Sequence, residues 1–297
     1  MSFDVFSGDE ADLVQKIIKE RADDAWAKPV IAAINRNGGL VGTNKDQFLE
    51  RRFGHALRKV GIDPKYEIAG EGDTTLDFGF ESAGKGWSVE LMRLSETKAA
   101  REATKAGVDK DGIPFTKRIL SSDAEDKKQS IEGETLKAIE RICGKCELDG
   151  RPYKFPVPAD RYHAILVDMR TYLHGGDLAD RVHVALGTNY VTEPLLRVYW
   201  QGKPITGFFH EETNSKGATN LRDRVHFVGF VNERSYGQES FGGAIQFFAN
   251  PKLFVGETPE QKAALARAAF ASWPLKESRL MNAGSEEKDE EGAEKAK

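Results

Sequence analysis

Phe48, Leu49, Phe53, Ala56, Leu57 and Val60 recur at the three- and four-residue spacing of one helix face, and the stripe stops at Gly61. Asn44 stands in capping position, so "KDQFLERRFGHALRKV" is predicted to be a helix. Leu13, Val14, Ile17 and Ile18 carry the same period in "DEADLVQKIIKERADDAWAKPVIAAIN", a helical opening region broken by "GGLVGT".

The period then changes. "KYEIAG" reads as a short strand, and "TTLDFGFESAGKGWSVELMRL" (residues 74–94) reads as two strands around a glycine-rich turn. A charged, loop-like stretch from Ser95 to about Lys128 precedes the helical "KKQSIEGETLKAIERICGKC". The Pro-rich "GRPYKFPVPADR" leads into "YHAILVDMR", a continuous apolar run suited to a strand covered on both faces. Downstream, "LLRVYW", "ITGFFHEE", "VHFVGFVNE" and "GGAIQFFAN" are predicted strands. A closing helix starts at Thr258, with Pro259 in its first turn and Gln261 in capping-box position.

These elements predict an α/β fold: a helical segment over 1–41, an α/β core over 42–180, a β-rich extension of the same sheet over 181–275, and an acidic disordered tail over 276–297. The tail changes how charge is read. Of the net charge of −4, about −3 sits in "EEKDEEGAEKAK", so the folded part is near neutral and a local basic patch is compatible with it. The 297 residues contain no long apolar run and no leader pattern, which points to a cytoplasmic protein with no membrane partner. Two cysteines argue against a disulfide scaffold.

Three carboxylates fall where apolar residues belong. On the helix, Glu50 lies within ~20° of Leu57 at ~100° per residue, along the buried face. Asp77 and Glu90 lie one on each strand of the hairpin. With Gly84-Lys85 as a two-residue type II′ turn, Asp77 faces Met92 and Gly79 faces Glu90, making the two acids diagonal neighbours on one face. Bare carboxylates there cost several kcal/mol each unless a proton, a basic partner or a metal offsets them. A hard cation such as Mg²⁺ or Mn²⁺ takes oxygen ligands of this kind.

A helix with Glu50, then "TTLDFGF", "WSVELMRL", a helix and "YHAILVDMR" resembles the PD-(D/E)XK nuclease superfamily over about residues 42–170. The resemblance implies a restriction-endonuclease-like mixed sheet flanked by helices and Mg²⁺- or Mn²⁺-dependent hydrolysis of phosphodiesters, with DNA favoured over RNA. It assigns catalysis to Glu50, Asp77 and Glu90, and metal ligation to Asp77, Glu90 and the main-chain carbonyl of Leu91. Where the family has lysine, Met92 stands here. Lys98, Lys127, Lys128 or Gln129 are candidate substitutes, and the alternative is an inactive module of the same fold that binds nucleic acid or a protein partner. A homo-oligomer is compatible with either. Around the helix, Lys45, Arg51, Arg52, Arg58 and Lys59 are candidate phosphate contacts.

Rival sites are weaker. Cys143 and Cys146 form half of a zinc set, and read as partly buried thiols. His174, Asp177, Asp180 and His183 drift around a helix without closing a ligand set, and Asp177 suits a cap. His55, His163 and His226 read as core or boundary histidines. Asp168 ends the buried strand "AILVD" and reads as a turn or cap residue.

Overall fold

Residues 161–171 show why a continuous apolar run becomes a central strand. In the computed structural model, Ala164 and Leu166 enter one hydrophobic core while Ile165 and Val167 enter another on the opposite face. The structure describes residues 8–95, 102, 104–108, 110–118, 131–147, 153–171, 178–187, 205–231, 245–258, 261 and 279–281.

In chain order the helices and strands are α1 (Gly8–Glu20), α2 (Ala27–Arg36), α3 (Lys45–Lys59), β1 (Lys65–Ala69), β2 (Thr75–Ser82), β3 (Lys85–Ser95), β4 (Thr104–Val108), β5 (Pro114–Arg118), α4 (Ile131–Gly144), β6 (Arg161–Thr171), α5 (Leu178–Ala185), α6 (Ala218–Arg224), β7 (Phe227–Val231), β8 (Ile245–Ala249) and β9 (Arg279–Met281). A mixed sheet runs β1-β2-β3-β6-β7-β8-β9, and β4-β5 form a separate hairpin. Strands β1, β2 and β3 are antiparallel neighbours, β3, β6 and β7 are parallel, and β8 returns antiparallel to β7. The fold is therefore α/β with a mixed sheet flanked by helices, and β7 and β8 continue the sheet of the hairpin.

One face of the sheet receives α3, whose Leu49, Phe53 and Leu57 join Phe78, Phe80, Trp87 and Leu91. The outer side of α3 is also covered: Phe48 meets Val14 of α1 and Val30 and Ile34 of α2. Helix α3 is thus buried nearly all round. Gly54 makes this possible, because a Cβ there would overlap the ring of Trp26. The other face receives α4, α5 and α6 through Ala138, Ile142, Val184 and Leu221.

Several expectations are corrected. The opening region is two helices, with residues 21–26 turning between them. Asn44 makes no side-chain cap to α3; its amide donates instead to the carbonyls of Asn37 and Gly39, closing the α2–α3 turn. "ITGFFHEE" is mostly turn, with Thr206 bridging to Gly187, so Phe208 and Phe209 reach the core from irregular backbone. The region after Ser95 contains the β4-β5 hairpin. Strand β6 continues past Asp168 to Thr171, leaving Asp168 fully buried within it. The segment "LLRVYW", the body of the closing helix and residues 282–297 of the tail lie outside the described residues, whereas Arg279–Met281, expected within the disordered tail, form β9 parallel to β8. The capping box that opens the helix is formed: Thr258 N donates to Gln261 Oε1 and Gln261 N to Thr258 Oγ1.

No helix among the described residues is long and apolar enough to cross a membrane.

Candidate active site

The turn sets the register. Ser82 pairs with Lys85, leaving Ala83-Gly84 as the two-residue turn with φ of 50° and 72°, the two positive angles that a type I′ turn requires. Gly84-Lys85 is not the turn. The ladder is displaced by two residues from the expected one, and a shift of two keeps every side chain on its own face. Continuing the pairs Gly79↔Ser88 and Phe78↔Val89 sets Asp77 opposite Glu90 rather than Met92.

At that row the two side chains capture main-chain donors. Asp77 N donates to Glu90 Oε1 at 3.1 Å, and Leu91 N donates to Asp77 Oδ2 at 2.7 Å. The row is also irregular on its outer side. Between the pairs Tyr66↔Phe78 and Ile68↔Leu76 stands Glu67, with φ of 51°, a conformation a side chain rarely adopts and one that marks local strain. Tyr66 and Phe78 belong to the α3 side, whereas Ile68 and Leu76 belong to the α4 side, so the edge strands change faces here.

Glu50 approaches from α3, where the helical period places it. Its carboxylate is half-buried and accepts the Tyr66 hydroxyl at 2.8 Å. Burial, then the charge of Asp77, pushes its pKa up to about 7, with Glu90 adding to the shift. The phenol of Tyr66 is in turn raised, by burial and then by Glu50. The helix is tied to β3 near this point by Arg93 Nε, 3.0 Å from Asp46 Oδ1.

Glu90 is 0% exposed, and both its oxygens meet ammonium groups. Lys154 Nζ lies 2.6 Å from Oε1 and Lys145 Nζ 3.2 Å from Oε2. Burial and Asp77 raise the pKa of the Glu90 carboxyl, and the two lysines pull it back. Burial acts against the Lys145 ammonium, yet Glu90, Asp77 and Glu50 outweigh it and hold its pKa above the ordinary lysine value. Three carboxylates and two ammoniums are thus assembled from α3, β2, β3, the end of α4 and the segment before β6.

Sequence reasoning missed both lysines. Lys98, Lys127, Lys128 and Gln129 lie outside the described residues. Lys145 sits between the two cysteines at the end of α4, and its signal was a basic residue closing a helix that covers the face bearing Glu90. Lys154 lies in the Pro-rich connection, where no periodicity points to a face. Met92 is 7% exposed and part of the core around α4, so it fills space beside the acids rather than replacing an amine.

The expected basic face on α3 is not formed. Lys45, Arg51 and Arg52 are buried, because α1 and α2 cover the side of α3 that a bare sequence leaves open. Arg51 donates to Ile17 O at 2.6 Å and lies over the Trp26 ring, and Arg58 pairs with Asp63 and Asp24. Of the five, Lys59 alone is exposed.

Cys143 and Cys146 are free and buried, and burial pushes the Cys143 thiol up to about 12 and Cys146 well above its ordinary value. These are packing thiols, fully buried where partial burial was expected. His55, His163 and His226 are likewise buried. His174 and Asp177 lie outside the described residues, and His183 is buried on α5.

Among the described residues no three His, Cys, Asp or Glu side chains are already arranged around a common metal position. Glu50, Asp77 and Glu90 are nevertheless clustered oxygen donors of the kind a hard cation takes, and burial, then the Asp77 charge, raises the pKa of Glu50 among them. No family model, curated protein or solved structure matches the chain.

Proposed function

We propose that this chain is a Mg²⁺- or Mn²⁺-dependent nuclease of the PD-(D/E)XK kind, hydrolysing phosphodiester bonds in DNA or RNA. The observation that carries the reading is the convergence of Glu50, Asp77 and Glu90 at one end of the β2-β3 pair, with an ammonium group brought in from α4 in place of the motif lysine. With the separate β4-β5 hairpin inserted between β3 and α4, the order α3, β1, β2, β3, α4, β6, with β3 parallel to β6, agrees with the family pattern.

Asp77 and Glu90 would hold the ion, with the main-chain carbonyl of Leu91 beside them. A bound divalent ion supplies a more acidic water and neutralises charge on the leaving oxygen. The chain's own contribution is placement. The main-chain N–H of Leu91 fixes Asp77 Oδ2, and Lys154 fixes Glu90 Oε1. Glu50, oriented by the Tyr66 hydroxyl, would help to place the ion and its water.

A second reading has its own observation. Both Glu90 oxygens are engaged by lysines and Met92 offers no amine, which also suits an inactive module that binds nucleic acid or a protein partner. The experiment is cleavage of linear, circular and single-stranded substrates by wild type and Asp77→Asn in Mg²⁺ and in Mn²⁺. Cleavage by wild type that is lost in Asp77→Asn supports the nuclease. Substrate binding without turnover in either metal would replace it with the binding module.

A further inference from the structure

Two lysines hold Glu90, and their settings differ. Lys154 is built into the frame: its N–H donates to Cys146 O, while its carbonyl accepts from Glu71 N and from Thr74 Oγ1. Its side chain is 14% exposed and its ammonium is 2.6 Å from Glu90. Gly70 lets this knot close, since a Cβ there would press on Thr74 Oγ1 and Lys154 O.

Lys145 is held less tightly. It sits on the turn that follows α4, its side chain is 32% exposed, and its ammonium is 3.2 Å from Glu90 while also feeling Asp77 and Glu50. A divalent cation entering this cluster competes with the ammoniums for the same carboxylates. The one with more solvent and the longer contact leaves at lower cost.

We propose that Lys145 is an exchangeable counter-ion: it neutralises Glu90 until a divalent cation takes its place, and its released ammonium then binds a phosphate oxygen of the substrate. The phosphate half rests on the nuclease reading; the exchange half does not. Lys154 stays on Glu90 throughout as a positioning residue. Cation and polyanion binding are then coupled through one side chain, each strengthening the other.

The test is calorimetric titration of Mn²⁺ into the full chain, followed by binding of a short DNA duplex in Ca²⁺, for wild type, Lys145→Met, Lys145→Arg and Lys154→Met. In Lys145→Met, Mn²⁺ should bind about tenfold tighter because its competitor is gone, and the duplex about tenfold weaker because its partner is gone. Lys145→Arg keeps the charge and holds the carboxylate with a two-pronged donor, so Mn²⁺ should bind more weakly than to wild type. This variant keeps the test open if the methionine variant does not fold.

Unchanged or weaker Mn²⁺ binding by folded Lys145→Met, Mn²⁺ binding by none of the proteins, or the same pair of opposite effects in Lys154→Met would each overturn the exchange. Unchanged duplex affinity in Lys145→Met overturns the phosphate half alone. If the affinities move as expected while wild type cleaves nothing, the exchange stands and the nuclease reading fails.

Discussion

Asp77 and Glu90 face each other across β2 and β3, and each takes a main-chain N–H from the other's strand: Asp77 N on Glu90 Oε1, Leu91 N on Asp77 Oδ2. The acids are therefore part of how the hairpin closes at this end, as well as a charge cluster. Substituting Asp77 separates the two roles. Asp77→Asn keeps an acceptor for Leu91 N–H and removes a charge, so the fold should be at least as stable and the pKa of Glu50 should fall from about 7 toward its usual 4.5. Asp77→Ala leaves that donor without its acceptor and should cost about 1–3 kcal/mol. Urea unfolding and a carboxyl-carbon NMR titration of Glu50 check both.

Glu50 makes stability depend on pH. Its folded pKa of about 7 lies above its ordinary 4.5, so its contribution is fully present below pH 4.5 and is lost as pH rises through about 7. The shift caps the effect near ~3 kcal/mol, and solvent screening of a half-buried group reduces it to about 1–2 kcal/mol. Glu50→Gln, neutral throughout, should match wild type near pH 4.5 and exceed it in melting temperature at pH 8, both measured in EDTA. Equal melting temperatures at pH 8 would refute this.

The buried histidines act in the opposite direction. His226 Nδ1 accepts from His163 N, and His163 Nδ1 donates to Arg224 O, so each ring is held in one neutral tautomer. Burial lowers His163 to about 4 and His226 to about 3. Their contribution is present above the usual 6.5 and lost as pH falls through those values, each histidine removing about 2 kcal/mol by pH 5. His226→Asn retains an acceptor for His163 N–H and does not titrate. Its urea midpoint should therefore fall less steeply than that of wild type between pH 6.5 and 4.5.

At the hairpin tip Ala83 holds a positive φ that costs a side-chain residue roughly 1 kcal/mol, whereas Asn-Gly is the preferred pair for this turn. Ala83→Asn should raise stability by about 0.5–1 kcal/mol without moving the register. A lower melting temperature would contradict the type I′ assignment.

In α3, Gly54→Ala gains about 1 kcal/mol of helix propensity, but its methyl meets the buried Trp26 ring. Overpacking at such a contact costs about 1–3 kcal/mol, so a net loss is expected in denaturant unfolding. A more stable variant would mean that α2 can move away from α3.

The sequence by itself determined what repeats locally. The helix stripe of α3 put Glu50 toward the buried side, and period two set Asp77 and Glu90 close together on the hairpin; a turn misplaced by two residues kept them neighbours, although the change of faces between Leu76 and Phe78 breaks the strict alternation. The unbroken apolar run of β6 marked the strand covered on both sides. Only the tertiary structure decided which cations meet those acids. Lys145, 55 residues from Glu90, arrives because α4 packs across the sheet, and Lys154 because its main chain ties the β1-β2 turn to the end of α4. It also decided that Arg51 and Arg52 are interior, since α1 and α2 cover a helix face whose period alone reads as solvent-exposed. Periodicity records which side of an element is apolar; the partner on that side is set by packing between segments distant in the chain.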